Sequence, residues 1–200
     1  MTPHDTTAPG PPRRRADAER SITRILDAAV DALASNPEAS MAEIARRAGV
    51  VRATIYVHFP TREALLEAVT HRAMAEVAQV IEAAEPHRGD PAEALERVVT
   101  ASWRTLGRYH ALVAINTQQH GHAELRRRHS SVLATLLPLV ERGQTDGTFR
   151  ADVPAAWHLS MLMALIHAAS GELRAGHVDD ADAGTALVAT ILGALNGGSR

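Results

Sequence analysis

The chain has 200 residues, 46% apolar and only 3% aromatic, which is enough for one large domain or two small ones around an aliphatic core. All 21 basic residues are arginine and cysteine is absent, which excludes structural disulfides, thiol catalysis and cysteine-based zinc sites. The formal net charge of −2 divides unevenly along the chain. Residues 1–62 carry nine arginines against seven acidic residues, and residues 63–200 carry twelve arginines against sixteen acidic residues. This bias is compatible with an N-terminal third that binds nucleic acid.

The N-terminal segment, residues 1–15, is rich in proline, threonine and glycine and ends in Arg13, Arg14 and Arg15. It has no apolar cluster whose burial could offset the entropy of ordering it, so we expect a disordered basic arm. No apolar segment follows its basic residues, as a secretory signal requires, and no later stretch approaches the roughly 18 apolar residues of a membrane-spanning helix. The sequence therefore predicts a cytoplasmic protein without membrane contact.

A long helix and a short one are predicted in residues 16–48. Apolar residues recur at three- and four-residue steps over Ala16–Ala34, the spacing of an amphipathic helix, and Asn36-Pro37 then breaks the pattern. Ser40 begins the short helix, because a serine at the N-cap and a glutamate three residues later, here Glu43, form a capping box.

A second short helix follows almost at once, which predicts a helix-turn-helix. Gly49 suits the left-handed conformation that ends the first short helix, and the second extends over about 51–57. Two helices this short, joined by three small residues, must cross steeply. The buried side of this motif is expected to consist of Ile44, Ala45, Ala48, Val50, Ile55 and Phe59.

The remainder of the chain predicts further helices and no strand. Thr61 caps a long helix that ends near Ala84, and Asp90 caps the next, with Pro91 at its first position. The fold class is therefore all-α, with about nine helices divided between a helix-turn-helix domain over 16–62 and a helical domain over 63–200. The helices of the second domain are expected over about 61–84, 91–109, 111–119, 122–142, 155–175 and 180–195.

Residues 40–69 read SMAEIARRAGVVRATIYVHFPTREALLEAV, and residues 142–153 read RGQTDGTFRADV. Both segments resemble the TetR (tetracycline-repressor) family of bacterial transcriptional regulators, the first of them its DNA-binding domain. Ser40 and Arg62 replace a threonine and a lysine of the family pattern and preserve the cap and the charge. Val51 replaces a serine and can neither cap the helix nor bind a phosphate. The matching positions are Ser40, Ile44, Ala45, Ala48, Gly49, Val50, Val51, Thr54, Tyr56, Phe59, Arg62 and Leu65.

The resemblance implies that the helix over 51–57 enters the DNA major groove. There Arg52 is the candidate for base reading, because a guanidinium can bond guanine O6 and N7 together. Thr54 could meet a thymine methyl or a phosphate, and Ala53 lets the backbone approach the bases. Two alternatives stay open, that Tyr56 is partly a packing residue and that the Arg13–Arg15 arm is a solubilising tail rather than a minor-groove contact. Phosphate contacts are expected from Ser40, Tyr56, His58 and Arg62.

The last two helices are expected to form a dimer interface, because one DNA-binding head buries too little surface and dimers read paired half-sites. The family implies a four-helix interface, with two helices from each chain. The alternative is that the apolar stripes of these helices form the core of a single chain. The expected interface residues are Leu162, Ile166, Leu187, Val188, Ile191 and Leu195.

The resemblance also implies that the helical body binds a small molecule that releases DNA, which requires the ligand to prefer the conformation that does not bind DNA. A mainly apolar cavity would suit a hydrophobic or aromatic effector. The alternative is that its predicted lining is ordinary core. This lining consists of polar, aromatic and neighbouring apolar residues at core positions: Trp103, Leu106, Tyr109, Asn116, Trp157, Met161 and His167.

The sequence thus predicts a ligand-responsive homodimeric regulator, a repressor rather than an activator, that binds a palindromic operator. An all-helical enzyme or metal-binding bundle is the rival, but no nucleophile elbow, P-loop, dinucleotide turn or paired-histidine zinc motif occurs, so neither an enzyme nor a cofactor is expected. His120, His122 and His129 lack the spacing of metal ligands, and no metal site is expected. A third alternative is a helix-turn-helix scaffold used only for protein contacts.

Overall fold

The computed structural model describes residues 11–196, without the side chains of 11–14 and 122. Within that range the chain forms ten α-helices and one short 3₁₀ turn, Gly107–Tyr109, and no strand, which confirms the all-α fold class. The helices are α1 (Pro11–Ser35), α2 (Met41–Arg47), α3 (Arg52–His58), α4 (Arg62–Ala83), α5 (Pro91–Leu106), α6 (His110–Gln119), α7 (His122–Arg128), α8 (Ser130–Thr145), α9 (Ala155–Ala175) and α10 (Asp180–Leu195).

The chain divides into two compact units between Val69 and Thr70, inside α4, rather than at the expected position near residue 62. The division falls later because the first turns of α4 belong with the N-terminal helices. Leu65 and Val69 on that part of α4 are fully buried, so these turns complete a core instead of leading away from it. The part of the chain up to Val69 is the first unit, and the part from Thr70 onward is the second unit.

The first helix begins earlier than the sequence predicts. α1 starts at Pro11, so Arg13–Arg15 lie in its first turns and not in a disordered arm. Proline is tolerated at the start of a helix because its missing N–H has no helical partner there, and an ion pair of 3.2 Å between Arg15 and Glu19 lies along the following turn. The rest of the predicted arm, residues 1–10, lies outside the described residues.

The predicted turn between the two short helices is present in the first unit, where α2 packs against both α1 and α3. The Ser40 Oγ accepts a hydrogen bond from the Glu43 N–H at 3.2 Å, but the Glu43 carboxylate accepts from Arg47 and leaves the capping box half complete. Gly49 adopts a φ of 65°, the left-handed conformation expected of it. Five of the six expected core residues are buried, namely Ile44, Ala45, Ala48, Ile55 and Phe59, whereas Val50 is half-buried.

The second unit is a helical bundle in which α5 packs against α8 and α10, and α9 packs against α6, α8 and α10. Asp90 caps α5 as predicted, with Pro91 at its start. The segment predicted as one helix over 122–142 is two helices, because the chain leaves the helical conformation at His129. There the His129 ring donates from Nδ1 to the Leu125 carbonyl at 2.7 Å, which satisfies an end carbonyl of α7.

The turn after α8 ties this helix to the end of α10. The Phe149 N–H donates to the Gly143 carbonyl at 2.8 Å, and the Arg150 N–H donates to the Leu195 carbonyl at 2.8 Å. The Phe149 ring lies directly against Gly143, where a β-carbon would be only 2.1 Å from the ring carbon Cδ2. A glycine is therefore required at this position for the turn to close.

Candidate DNA-binding surface and ligand cavity

One side of α3 is core and the other faces solvent. Ile55 is completely buried, whereas Arg52 and Ala53 are exposed and Val57 is 77% exposed. A seven-residue helix with a single buried anchor leaves most of its side chains free to meet a partner. This is the geometry that a helix needs in order to enter the major groove without disturbing its own domain.

Arg52 and Tyr56 contact each other on the exposed side of α3. The guanidinium carbon of Arg52 lies 5.7 Å from the centre of the Tyr56 ring, one helical turn away. Such a cation–π contact contributes about 0.5–1 kcal/mol at an exposed site and restricts the arginine side chain. Tyr56 is 39% exposed, so part of its side chain is accessible to a partner.

The residues predicted to hold phosphates differ in their surroundings. Ser40 is exposed at the start of α2, while Thr54 and His58 are half-buried. Arg62 is half-buried, and its Nη2 donates to the Pro37 carbonyl at 2.5 Å. One guanidinium nitrogen of Arg62 is thus bonded within the chain, to the loop between α1 and α2.

Two exposed valines lie at the two ends of α3. Val51 is 70% exposed and forms the N-cap of α3 without a side-chain hydrogen bond, as its departure from the family pattern implies. Val57 was not among the predicted contact residues. Its position two residues after Ile55 could have indicated it, because residues two apart on a helix point in different directions.

The second unit contains a cavity of about 50 Å³, here called the main cavity. Its walls come from α4, α5, α6, α8 and α9 together with His129. They are apolar apart from Ser102, His129 and His167, and they include the flexible side chains of Met74 and Met163. The main cavity has room for only a few water molecules.

The two histidines of the main cavity form a ring pair, with centroids 5.5 Å apart and an edge-to-face orientation. Because a carbonyl can only accept, the bond to Leu125 fixes the proton of neutral His129 on Nδ1 and leaves Nε2 as an acceptor. Burial lowers the pKa of His129, and nearby Arg128 lowers it further, although the bond to Leu125 opposes them. The ring is therefore neutral at neutral pH.

A smaller cavity of about 20 Å³ shares walls with the main cavity, including Leu106 and His167. It is lined by Tyr109 and Asn116, but the Tyr109 hydroxyl and the Asn116 Nδ2 are both engaged. The Tyr109 hydroxyl donates to the Glu76 carboxylate at 2.8 Å, and burial and that carboxylate raise its pKa. The Asn116 Nδ2 donates to the Thr70 Oγ1 at 3.1 Å.

The structure brings together four of the seven predicted effector residues, Leu106, Tyr109, Asn116 and His167, at these two cavities. It places the other three elsewhere. Trp103 donates from Nε1 to the Asp180 carbonyl at 3.3 Å, beside α10. Trp157 is 63% exposed and Met161 packs at the edge of the core, because the cavity side of α9 carries Leu162, Met163, Ile166 and His167 instead.

Sequence reasoning missed Ser102 and His129 as cavity residues. A signal for Ser102 exists, because it is the one polar residue in an apolar helical stripe that includes Val98, Val99 and Leu106. His129 gave no comparable signal, since the break between α7 and α8 that positions it was not predicted.

The expected dimer residues mostly lie in the core of the single chain. α9 and α10 pack against each other and against α5 or α8, and this packing takes up their most apolar faces. Ile166 and Val188 are half-buried and pack against the same core. The fully buried members are Leu162, Leu187, Ile191 and Leu195.

Residues 11–196 contain no group of three or more histidine or acidic side chains placed to hold a metal ion. None of the helices in that range combines the length and the apolar character that crossing a bilayer requires.

Comparisons with known proteins agree with this arrangement. Residues 25–69 match the sequence profile of the bacterial regulatory proteins of the tetR family. The HTH-type transcriptional repressor LfrR of Mycolicibacterium smegmatis is 31% identical over 150 residues, which cover 75% of this chain and 77% of LfrR. The HTH-type transcriptional regulator NfxB of Pseudomonas aeruginosa is 28% identical over 151 residues, 72% of this chain and 78% of NfxB.

A solved structure shares the whole fold. The crystal structure of LfrR in complex with proflavine superposes with a TM-score of 0.67 at 25% identity, covering 88% of this chain and 97% of LfrR. The matching proteins are transcriptional regulators and not enzymes, which also settles the rival enzyme interpretation. The chain belongs to the TetR family of bacterial regulatory proteins.

Proposed function

We propose that the chain is a ligand-responsive homodimeric repressor that binds palindromic operator DNA through α3. The observation that carries the proposal is the exposed face of α3, where Arg52 stacks on Tyr56 above the fully buried Ile55. A guanidinium held in this way is suited to bidentate contact with a guanine. A repressor that binds the chromosome works in the bacterial cytoplasm, and we propose that compartment.

The remaining exposed residues of α2 and α3 fit roles around Arg52. Ser40 at the start of α2, together with Thr54, Tyr56 and His58, would contact phosphates and set the register on the duplex. Ala53, which is exposed and small, would let the helix backbone approach the bases. The exposed methyl groups of Val51 could contact a thymine methyl instead of the phosphate that a serine would bind.

The proposed homodimer rests on the outward surface of α9 and α10. Small side chains recur on the exposed side of α10 at Thr185, Ala186, Ala189, Thr190 and Gly193, which allows another helix to approach closely. The half-buried Val188 and Leu192 border this stripe. Analytical ultracentrifugation should give twice the chain mass of 21.4 kDa; a monomer at micromolar concentration would exclude the dimer.

The proposed effector site is the main cavity. LfrR, a repressor of the same family, has been crystallised with proflavine, which supports a ligand for this chain as well. A volume of about 50 Å³ is too small for a ring system, so binding would move the cavity walls. Met74 and Met163 can adapt to such a change, and α4, which carries Met74, is shared by both units. Ligand binding could in this way favour the conformation that releases DNA.

Selection from a pool of random duplex DNA tests the DNA-binding function. We expect enrichment of an inverted repeat with half-site centres about one helical turn apart, and binding that weakens steeply with salt. Binding without sequence enrichment, or no binding at low salt, would overturn the proposal and favour the protein-contact scaffold. A protein in which both Arg52 and Tyr56 are changed to alanine is the control for selection through α3.

A further inference from the structure

Ser102 carries a buried hydroxyl group that the protein leaves unpaired. The residue is only 5% exposed, it lines the main cavity, and its Oγ has no hydrogen-bond partner among the described residues. A buried hydroxyl without a partner destabilises the folded chain, because folding removes its hydrogen bonds to water without replacing them.

Other helical hydroxyl groups in the described chain show how such a group is ordinarily satisfied. Thr105, Thr117 and Ser160 each donate to the carbonyl four residues earlier, at 2.8–3.1 Å. Ser170, as buried as Ser102, bonds to a histidine ring at 3.0 Å. Ser102 is therefore an exception that neither its helix nor its neighbours explain.

His129 supplies a complementary group in the same cavity. Its Nδ1 is committed to the Leu125 carbonyl, so the Nε2 of the neutral ring is an acceptor. A ligand hydroxyl can accept a hydrogen bond from Ser102 and can donate one to His129, since it is both an acceptor and a donor. A hydrocarbon can do neither.

The main cavity offers nothing to a charged ligand group. None of its lining residues is an aspartate, a glutamate or an arginine. Arg128 lines only the smaller cavity, where its guanidinium donates to the Glu124 carboxylate at 2.9 Å, a carboxylate that it shares with Arg127. A carboxylate or an ammonium entering the main cavity would lose its hydration without gaining a counter-ion.

We propose that the main cavity binds a neutral, largely apolar ligand with one hydroxyl group, and that Ser102 is the specificity-determining residue for that hydroxyl. The inference rests on the effector role proposed above for this cavity. It sets this chain apart from LfrR, whose crystallised ligand is proflavine.

Calorimetric titration with three probes of one shape tests the proposal: 4-propylphenol, propylbenzene and 4-propylbenzoate. The wild-type protein should bind the phenol about tenfold more tightly than the other two, the amount that one hydrogen bond contributes. The matched pair Ser102→Thr and Ser102→Val differs by a hydroxyl against a methyl. We expect Ser102→Thr to keep the preference for the phenol and Ser102→Val to lose it, with propylbenzene binding equal in both.

Several results would overturn the proposal. The first is no measurable binding of 4-propylphenol to the wild-type protein. The second is binding of 4-propylbenzoate or proflavine that equals or exceeds that of 4-propylphenol. The third is a loss of propylbenzene affinity in Ser102→Val as large as the loss of 4-propylphenol affinity. Ser102→Ala, which adds no bulk, covers the case in which Ser102→Val does not fold. Operator binding by the wild-type protein is measured separately, without ligand. Its absence would reject the proposed DNA-binding function and not the ligand class.

Discussion

Tyr56 combines two possible contributions to DNA binding in one side chain. Its ring stacks on Arg52, whereas its hydroxyl is available to a phosphate. Stacking favours the arginine geometry that reads a base and so affects sequence preference. A phosphate contact strengthens binding to every sequence alike.

Substitution of Tyr56 separates these contributions. Tyr56→Phe should lower affinity for operator and scrambled duplex by the same factor, because it keeps the ring and removes the hydroxyl. Tyr56→Leu should in addition lower the ratio of the two affinities by about two- to fivefold, the equivalent of about 0.5–1 kcal/mol. Fluorescence anisotropy with both duplexes measures the ratio; an equal ratio in the two variants would show that the stacking has no effect.

His110 is a buried histidine of the second unit whose neighbours favour the neutral ring. Its Nδ1 lies 3.0 Å from the Ser170 hydroxyl, and its ring lies 4.7 Å from that of Trp103. Burial lowers the pKa of His110 from the ordinary value of 6.5, and the carboxylate of Asp180, 3.9 Å from Nε2, opposes the shift only in part. The unfolded chain therefore takes up this proton at a higher pH than the folded chain does.

The contribution of His110 to the free energy of unfolding should consequently be constant above about pH 7. It should fall as the pH drops below 6.5, where only the unfolded state becomes protonated at this site. Urea titrations of the wild-type protein and of His110→Gln at several pH values measure the effect, and the variant should show a shallower fall. His177→Gln, at an exposed histidine, is the control. A slope unchanged by His110→Gln would contradict the assignment.

The sequence predicted the exposure of candidate site residues well where that exposure follows from a local helix pattern. Arg52 and Ala53 lie on the exposed side of a seven-residue helix whose anchor, Ile55, was recognised as core. The partner of Arg62 could not be predicted, because Pro37 is 25 residues away in the chain and meets it only after folding. The same holds for Tyr109 and Glu76, whose hydrogen bond joins α4 to the 3₁₀ turn.

At the scale of elements, the turn between α8 and α9 depends on one glycine. The space where a Gly143 β-carbon would lie is occupied by the Phe149 ring, which is itself buried. Gly143→Ala should destabilise the protein by about 1–3 kcal/mol, the cost of overpacking a filled core. Gly171→Ala, inside α9, is a matched control, since nothing lies within 4 Å of its β-carbon position. Thermal unfolding that shifts equally in both variants would contradict this explanation.

The positions of the helices were predicted more reliably than the side of each helix that lies in the core. Caps such as Ser40, Thr61 and Asp90 and the periodic apolar residues determined most boundaries, because both signals are local. The side of α9 that lines the main cavity was misjudged, since nearly every position of that helix is apolar or small and periodicity alone cannot select one face. The break at His129 depends on a side-chain bond that has no simple sequence signal.

At the scale of the whole molecule, the two units divide the proposed tasks. The first carries the exposed α3, and the second carries the main cavity and the outward stripe of α10. Four of the six residues expected at the dimer interface are buried in the core of one chain, where α9 and α10 pack on α5 and α8. A dimer would therefore use smaller side chains than the sequence suggested.

The most direct test of the central claim, that α3 reads base edges through Arg52, compares the affinities of Arg52→Ala for the selected operator and for a scrambled duplex. Arg46→Ala is the control, because Arg46 is an equally exposed arginine on the neighbouring α2. Loss of a bidentate base contact should weaken operator binding by about tenfold or more, and scrambled binding much less. Equal losses on both duplexes, or the same pattern for Arg46→Ala, would contradict the claim.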